Sequence, residues 1–220
     1  INYINPFWNF DSDFYEFFEN YISIAYRYQT LYIDNLYCPL TNVLMRNPFL
    51  KRLRILVNKI NNGTLFFIDI DNFKKINDNL GHHNGDKVLK EIASCIKSSI
   101  RHNDIIGRYG GEEFLVFIPH LDYKEVKTIA DRINIKISTY DVIKDYKITA
   151  TIGLAEFPKD ASIIDLLILK AELANRYGKN HGKNCIIKYT RDLDYESHAD
   201  DSTGGIVVRD FTKTSENIKF

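Results

Sequence analysis

Two short acidic clusters have the residue types and the spacing of a site for divalent cations. The first is Asp69-Ile70-Asp71, directly after an apolar run, and the second is Glu112-Glu113, directly after two glycines. Burying carboxylates beside apolar residues costs free energy unless a cation compensates them, and Mg²⁺ prefers oxygen ligands. If the clusters lie on neighbouring strands, Asp69 and Glu112 could share two metal ions that activate an attacking oxygen and stabilise a leaving one.

Each cluster taken alone also has a simpler structural explanation. An Asp at a strand end often caps the next helix, and a glycine pair is often only a hairpin turn. The surrounding sequence favours the functional interpretation. The first cluster lies within IDIDNFKKINDNLGHHNGD at residues 68–86, and RYGGEEF follows at residues 108–114.

The elements that position these clusters can be predicted from the hydrophobic pattern. Residues 64–70 form a nearly continuous apolar run, which predicts a strand buried on both faces, with Asp69 and Asp71 on the same side. Residues 105–109 and 114–118 are strand-like and meet at Gly110-Gly111, which predicts a hairpin. Strands are also predicted at residues 147–157 and 185–189, and helices at 49–60, 72–79, 85–101, 123–137 and 163–179. Interleaved strands and helices indicate a layered α/β or α+β sheet domain.

Residues 13–36 predict a helix, opened by a capping box of Asp13 and Glu16. Its apolar residues alternate in steps of three and four for under three heptads, which is the spacing of a coiled-coil seam. A helix packed on its own domain explains the pattern equally well, and both interpretations stay open. The seam consists of Phe14, Phe17, Tyr21, Ile24, Tyr28 and Leu31.

Bulk composition excludes several classes of protein. The 220 residues contain 29 Lys and Arg and 29 Asp and Glu, and this zero net charge argues against a nucleic-acid partner. The three widely spaced cysteines indicate neither a disulfide framework nor a zinc cluster, and they fit a reducing cytoplasm. No apolar run approaches a membrane span. Because the first residue is Ile, we expect a piece of a longer protein, which could be membrane-bound elsewhere.

The two motifs together resemble the GGDEF family of diguanylate cyclases, in its GGEEF variant. The resemblance runs from about residue 37 to residue 189. It implies an α+β, palm-like nucleotidyl cyclase domain, with a central antiparallel sheet flanked by helices. We therefore divide the chain into an N-terminal linker or signalling helix at 1–36, the GGDEF domain at 37–189, and a polar C-terminal tail or linker at 190–220. Within the tail, residues 206–208 are a strand candidate.

The resemblance implies a reaction in which two GTP condense into cyclic di-GMP with release of pyrophosphate. Each domain of a homodimer holds one GTP, with two Mg²⁺ or Mn²⁺ ions per active site. Asp69, Glu112 and the backbone carbonyl of Ile70 correspond to the metal ligands. Glu113 corresponds to the family's second acid, a metal ligand or a proton acceptor for the ribose hydroxyl.

Further residues correspond to the family's nucleotide-binding positions. Asn77 and Asp86 match the guanine-recognising residues, since an amide both donates and accepts while a carboxylate accepts from guanine N–H groups. The backbone amides at the start of a helix suit phosphate binding, and glycines let the hairpin backbone approach the nucleotide. The implied substrate contacts are Asn72, Phe73, Lys74, Gly110, Gly111, Lys179 and Lys183. His82 and His83 are assigned to a loop near the guanine.

The sequence departs from the family pattern at two places. Lys183 stands where the family has Arg, which keeps the charge but loses the bidentate fork, so we expect weaker triphosphate binding. The family's DxLTGLxNR corresponds to residues 38–46, where Cys38 replaces the acid and the glycine and asparagine are also lost. The anchoring of the incoming helix is therefore in doubt, and we expect altered regulation more than lost chemistry.

Arg101 and Asp104 form an RxxD pattern shortly before the glycine pair. In the family this is the inhibitory site that binds dimeric product, whereas a surface ion pair is the simpler alternative. The main alternative function is a catalytically silent GGDEF domain that binds GTP or cyclic di-GMP and regulates an attached domain. A missing sensor or EAL phosphodiesterase domain stays open, and Asp86 argues against a cyclase that accepts ATP.

Overall fold

The structure is a computed structural model and describes residues 12–34, 36–120, 122–140, 143 and 146–193. The helices are α1 (Ser12–Asp34), α2 (Arg46–Val57), α3 (Phe73–Leu80), α4 (His82–Lys97), α5 (Tyr123–Thr139) and α6 (Ile164–Asn180). The strands are β1 (Leu44–Met45), β2 (Gly63–Ile70), β3 (Ile105–Arg108), β4 (Glu113–Pro119), β5 (Ala150–Phe157) and β6 (Ile186–Lys188).

The six strands form one sheet in the order β1-β3-β4-β2-β5-β6. The four central strands pair antiparallel, as the family resemblance implies. The two outer pairs, β1 with β3 and β5 with β6, are parallel. The fold is therefore α+β with a mixed sheet. The two-residue β1 was not predicted, because so short a strand leaves no alternating pattern.

Strand β2 is buried on both faces, which confirms the prediction from its apolar run. Phe66, Ile68 and Ile70 join a core cluster with α3, α4 and α5. Leu65 and Phe67 join a second cluster with α2 and α6 on the opposite face. Because side chains alternate along a strand, Asp69 belongs to the face that α6 covers.

Helices α2 and α4 begin at other residues than predicted, because the conformation of the preceding turn determines where each helix starts. Helix α2 begins at Arg46, because Pro48 falls in its first turn, where a missing N–H costs nothing. Helix α4 begins at His82, directly after Gly81, whose φ of 80° ends α3. His82 and His83 therefore open a helix, and the assignment of them to a loop was wrong.

The described part of α1 does not bury its apolar seam against the rest of the chain. Phe17, Tyr21 and Ile24 are 64% to 68% exposed. The side chains of Asp13, Tyr28 and Leu31 lie outside the described residues, as do residues 206–208, so the capping box and the strand candidate stay predictions. None of the helices in the described ranges is long and apolar enough to cross a bilayer.

Helix α6 lies so close to β5 that a side chain is excluded between them. A Cβ added to Gly153 would lie 2.0 Å from the carbonyl oxygen of Ala171 and 2.4 Å from the backbone nitrogen of Asn175. We therefore expect Gly153→Ala to lower the free energy of unfolding by about 2–4 kcal/mol, because neither backbone can yield cheaply. Chemical denaturation of the full chain measures this difference.

Gly111→Ala is the matched control for this prediction. A Cβ at Gly111 would meet nothing within 4 Å, and its backbone is not left-handed. We expect its unfolding free energy to stay within about 0.5 kcal/mol of the wild type. Equal stability of the two variants would show that α6 and β5 do not pack this closely.

Candidate active site

Antiparallel pairing brings the two acidic clusters together. Asp69, near the end of β2, lies directly opposite Glu113, the first residue of β4. The Ile70 N–H donates to the carbonyl oxygen of Glu112 at 3.4 Å. Residues 109–112 connect β3 to β4, so the glycine pair does lie in a hairpin turn. The condition set by the sequence, that the clusters occupy neighbouring strands, is therefore met.

The two oxygens of Asp69 have different surroundings. The Oδ2 atom forms an ion pair with Lys179 Nζ at 2.5 Å, and the side chain is only 13% exposed. The Oδ1 atom is buried and has no hydrogen-bond partner among the described residues. Burial raises the pKa of Asp69, the charges of Glu112 and Asp71 add to the increase, and Lys179 opposes it. An unpaired buried oxygen beside further acids suits a cation.

Glu113 is the second acid whose protonation the site perturbs. Burial raises its pKa, and the charges of Asp69, Glu172 and Glu112 raise it further against the effect of Lys179. A Cβ on Gly110 would lie 2.1 Å from Glu113 Oε2. A side chain at position 110 would therefore displace the Glu113 carboxylate, whereas Gly111 leaves open space on its side of the turn.

The residues present fit a magnesium or manganese site. Mg²⁺ commonly uses one or two protein carboxylates and takes its other oxygens from water and substrate phosphates. Within the described ranges no group of three or more His, Cys, Asp or Glu side chains forms a metal cluster. A site made of two carboxylates and one backbone carbonyl, from Asp69, Glu112 and Ile70, uses only two side chains of these types and therefore does not require such a cluster.

A second part of the site surrounds the start of α3. Asn72 precedes this helix with a left-handed φ of 57°, and its Oδ1 accepts a 2.6 Å hydrogen bond from Lys183 Nζ. The amides of Phe73 and Lys74 fall in the first helical turn, which lacks intrahelical acceptors and so suits an anion. The Phe73 side chain is 7% exposed and packs in the core, so only its backbone can contribute.

The two predicted guanine-recognising residues lie on adjacent helices. Asn77 is on α3 and Asp86 is on α4, with Gly81 alone between the helices. A Cβ on Gly85 would lie 1.9 Å from Asn77 Oδ1, so the Asn77 amide rests against Gly85, the neighbour of Asp86. Asp86 is exposed. The structure thus brings an amide and a carboxylate to one edge of the site.

Asp71 differs from the other acids because its carboxylate is fully hydrogen-bonded. Its partners are the hydroxyls of Thr149 and Thr151 and the backbone N–H of Asn184. Sequence analysis missed the two threonines. Their spacing of two, at the start of a predicted strand, was the available signal that both could face one neighbour.

The segment before β1 is anchored to the hairpin of β3 and β4 by an arginine. Arg108 donates from Nε and Nη2 to the carbonyl oxygen of Gly111 at 3.0 and 2.7 Å, and from Nη1 to Cys38 Sγ at 3.4 Å. Burial raises the pKa of Cys38, but hydrogen bonds from Thr41 and Arg108 outweigh it and lower the pKa to about 7. The Cys38 thiol therefore links the segment before β1 to Arg108, the last residue of β3.

The two residues of the RxxD pattern are joined by a hydrogen bond from the backbone of Arg101 to the side chain of Asp104. The Arg101 N–H donates to Asp104 Oδ2 at 2.6 Å, while the Arg101 guanidinium is 3.8 Å from Glu125 Oε1 and largely exposed. Burial raises the pKa of Asp104, against the Arg101 hydrogen bond and the charges of Arg101 and Arg132. Asp104 also lines a cavity of about 600 Å³, together with Lys59 and other residues.

Comparisons with known proteins agree with this architecture. The family model for the diguanylate cyclase GGDEF domain matches residues 35–185. The probable diguanylate cyclase DgcE of Escherichia coli is 32% identical over 157 residues, which are 68% of this chain and 14% of that protein. The chain spans between 14% and 34% of the length of the curated relatives compared with it.

Two solved structures are similar over most of their own length. The GGDEF domain of YfiN from Pseudomonas aeruginosa has a TM-score of 0.70 at 29% identity, covering 74% of this chain and 99% of that one. The GGDEF domain of DgcB from Caulobacter crescentus, solved in complex with cyclic di-GMP, has a TM-score of 0.65 at 27% identity. That comparison covers 70% of this chain and 95% of the other.

The Cys38 anchor should make stability depend on pH in a defined window. A pKa of about 7, lowered from the ordinary value of 9.0, means that the folded state favours the thiolate. Its stabilisation is therefore complete above pH 9 and is lost as the pH falls through about 7. We expect the unfolding free energy of the wild type, relative to Cys38→Ser, to rise by up to about 2 kcal/mol from pH 7 to pH 9.

Denaturant unfolding of both proteins at several pH values measures this difference. The serine variant is the control, because its hydroxyl does not ionise in this range, while Cys95 and Cys185 titrate equally in both proteins. A difference that stays flat from pH 6 to pH 9 would show that Arg108 does not bind a thiolate.

Proposed function

The chain belongs to the GGDEF family, and on this basis we propose that it is a diguanylate cyclase that condenses two GTP into cyclic di-GMP with release of pyrophosphate. The observation that carries the proposal is the buried Oδ1 of Asp69, which has no partner among the described residues and lies beside the acids of the neighbouring strand. A divalent cation would satisfy such an oxygen, and phosphoryl-type displacements on nucleotides use carboxylate-bound divalent ions.

Asp69, Glu112 and the Ile70 carbonyl would hold Mg²⁺ or Mn²⁺, with two ions per active site. When bound, these ions supply Lewis-acid stabilisation of the α-phosphate and of the leaving pyrophosphate. Glu113 would accept the proton of the ribose 3′-hydroxyl. Its place on the neighbouring strand, directly opposite Asp69, favours this role, since a general base must lie within reach of the proton that it accepts.

The triphosphate would be bound by positive charge and by backbone donors. Lys179 already compensates the charge of Asp69 through an ion pair. The Lys183 ammonium contacts Asn72, directly before α3, where the first-turn amides have no intrahelical acceptors. An ammonium binds phosphate as a point charge, without the two parallel hydrogen bonds of an arginine. Weaker triphosphate binding than in relatives with Arg at position 183 is part of the proposal.

Specificity for guanine would come from Asn77 and Asp86. A carboxylate accepts from the ring N–H and the exocyclic amine of guanine, whereas adenine has no ring N–H at the equivalent place. Gly85 supports this arrangement, because any larger residue would displace the Asn77 amide. ATP would leave the Asp86 carboxylate without its donors, so we propose GTP as the substrate.

Catalysis would require a homodimer, because each 3′-hydroxyl attacks the α-phosphate of the opposite nucleotide. One domain offers one set of guanine-recognising residues, so two sites must face each other. The exposed seam on α1 supports this proposal, since pairing of two such helices would raise the effective concentration of one domain at the other. We propose a cytoplasmic setting, with a sensor or EAL domain as the regulatory partner.

The cyclase proposal can be tested directly with the full chain. GTP and Mg²⁺ are incubated with protein at high concentration, and the nucleotides are resolved by chromatography. We expect cyclic di-GMP from the wild type, and a rate at least about 100-fold lower for Asp69→Asn and Glu112→Gln, because each loses a metal-binding oxygen anion. Asp165→Asn, an exposed acid in the first turn of α6, is the matched control and should retain full activity.

Absence of product would count against the cyclase only after dimerisation has been forced with an added leucine zipper. If that fusion also makes no cyclic di-GMP, the proposal is wrong. The replacement of Arg by Lys183 and of the signature acid by Cys38 then favours a silent domain that binds GTP or cyclic di-GMP. Calorimetric titration with both nucleotides distinguishes these two ligands.

Product inhibition through Arg101 and Asp104 is also proposed. The Arg101 guanidinium is largely exposed, Asp104 is oriented by a backbone hydrogen bond, and a cavity adjoins it. An arginine can bind phosphate or a guanine edge with two hydrogen bonds, and Asp can accept from guanine. The related domain of DgcB, solved with cyclic di-GMP, supports the choice of ligand.

Arg101→Ala should therefore relieve inhibition without loss of initial rate. We expect added cyclic di-GMP to inhibit the wild type, and the variant to require at least about tenfold more, because a charge-assisted pair is lost. Arg54→Ala, an exposed arginine on α2, serves as the control. Identical inhibition curves for wild type and Arg101→Ala would place the inhibitory site elsewhere.

A further inference from the structure

The chain leaves α6 through a turn with unusual backbone conformations. Gly182, Lys183 and Asn184 have φ angles of 112°, 61° and 46°. The left-handed region is disfavoured for residues that have a Cβ, so two consecutive non-glycine residues require contacts that hold them there. One such contact is the hydrogen bond from the Lys183 N–H to the Gly178 carbonyl oxygen, at 3.0 Å.

The second contact comes from Asp71, which is 4% exposed. Its Oδ2 accepts from the backbone N–H of Asn184 at 2.9 Å and from the Thr149 hydroxyl at 2.7 Å. Its Oδ1 accepts from the Thr151 hydroxyl at 2.7 Å. Both oxygens are therefore occupied, unlike Oδ1 of Asp69, and the carboxylate joins β5 to the turn.

This arrangement determines where the Lys183 ammonium lies. Asp71 holds Asn184, the residue after Lys183, while Lys183 Nζ reaches Asn72 Oδ1, on the residue after Asp71. The hydrogen bond to Asp71 therefore holds the turn at Asn184, and the Lys183 side chain extends from the turn to Asn72, directly before α3. Without the Asp71 hydrogen bond, we expect the strained backbone of the turn to relax, so that Lys183 no longer stays beside the first-turn amides of α3.

We infer that Asp71 is a positioning residue, which holds the 182–184 turn so that Lys183 stays at the triphosphate subsite, and that it is not a third carboxylate ligand of the metal. The inference rests on the proposed function, since it assigns the turn to GTP binding. Asp71 positions the turn through the geometry of its hydrogen bonds more than through its charge. One of its three donors is a backbone N–H, whose direction is fixed by the chain.

Binding of 3′-deoxy-GTP tests this role without turnover, because the analogue lacks the attacking hydroxyl. Its affinity in Mg²⁺ is measured by calorimetry alongside that of 3′-deoxyguanosine, which lacks the phosphates. We expect Asp71→Ala to weaken 3′-deoxy-GTP binding about tenfold and to leave 3′-deoxyguanosine binding within about twofold. Asp71→Asn should stay within about threefold of the wild type, since its amide oxygen can accept from Asn184.

A double-mutant cycle shows whether Asp71 acts through the lysine. Lys183→Met should weaken 3′-deoxy-GTP binding, and the double variant Asp71→Ala/Lys183→Met should bind no more weakly than Lys183→Met alone. Mn²⁺ affinity, measured without nucleotide, should be within about threefold of the wild type for both Asp71 variants, because a lost ligand would cost far more.

Asp160→Ala is the matched control for removing a carboxylate that binds backbone. Its Oδ2 accepts from the Glu156 N–H at 2.7 Å, near the opposite end of β5. It should retain full affinity for 3′-deoxy-GTP. Thermal unfolding of every variant confirms that the comparison is between folded proteins, and the asparagine variant keeps the test valid should Asp71→Ala fail to fold.

Several results would overturn the inference. Loss of Mn²⁺ binding in Asp71→Asn would make Asp71 a metal ligand. Losses that multiply in the double variant, or equal losses for both ligands, would mean that Asp71 stabilises the domain without acting through Lys183. If the wild type itself binds 3′-deoxy-GTP no better than 3′-deoxyguanosine, the triphosphate subsite is wrong and the proposed function fails with it.

Discussion

The antiparallel pairing of β2 with β4 is the interaction on which the rest of the site depends. Its register places Asp69 opposite Glu113, and it holds because both strands are buried on both faces. A slip of one residue would move every core side chain of β2 to the wrong layer, and Asp69 to the face away from α6. The free energy of the hydrophobic core therefore determines the geometry of the acids.

Charge compensation explains how the domain tolerates several carboxylates at one strand end. Asp71 is satisfied within the protein by three hydrogen bonds, whereas Asp69 has one lysine and one oxygen that no residue in the described part of the chain pairs with. Burial raises the pKa of both Asp69 and Glu113, and the charges of neighbouring acids, Glu112 among them, add to each increase. The domain thus keeps Asp69 with incomplete hydrogen bonding close to Asp71, whose hydrogen bonds are complete. This arrangement is expected where a cation and a substrate must complete the site.

The departures from the family pattern are local substitutions within an intact framework. Cys38 stands where the family signature has an acid, and its polarised thiol binds the arginine that also binds the Gly111 carbonyl of the hairpin. Arg46 adds a hydrogen bond of 3.0 Å to the hydroxyl of Tyr109, next to the glycine pair. The segment that follows α1 is therefore connected to the hairpin of β3 and β4 by two arginines.

The sequence alone determined the order of the elements, the buried strand and the hairpin, because these depend on local periodicity, and its two long motifs predicted the metal and guanine residues. It did not determine the parallel outer strands or the helix start at His82, which depend on pairing and turn conformation. Strand periodicity also could not distinguish the surroundings of Asp69 from those of Asp71, since alternation predicts both on the same side. Only the tertiary structure decided that one meets Lys179 while the other is enclosed by two threonines and a turn, because those partners lie about 80 to 110 residues away along the chain.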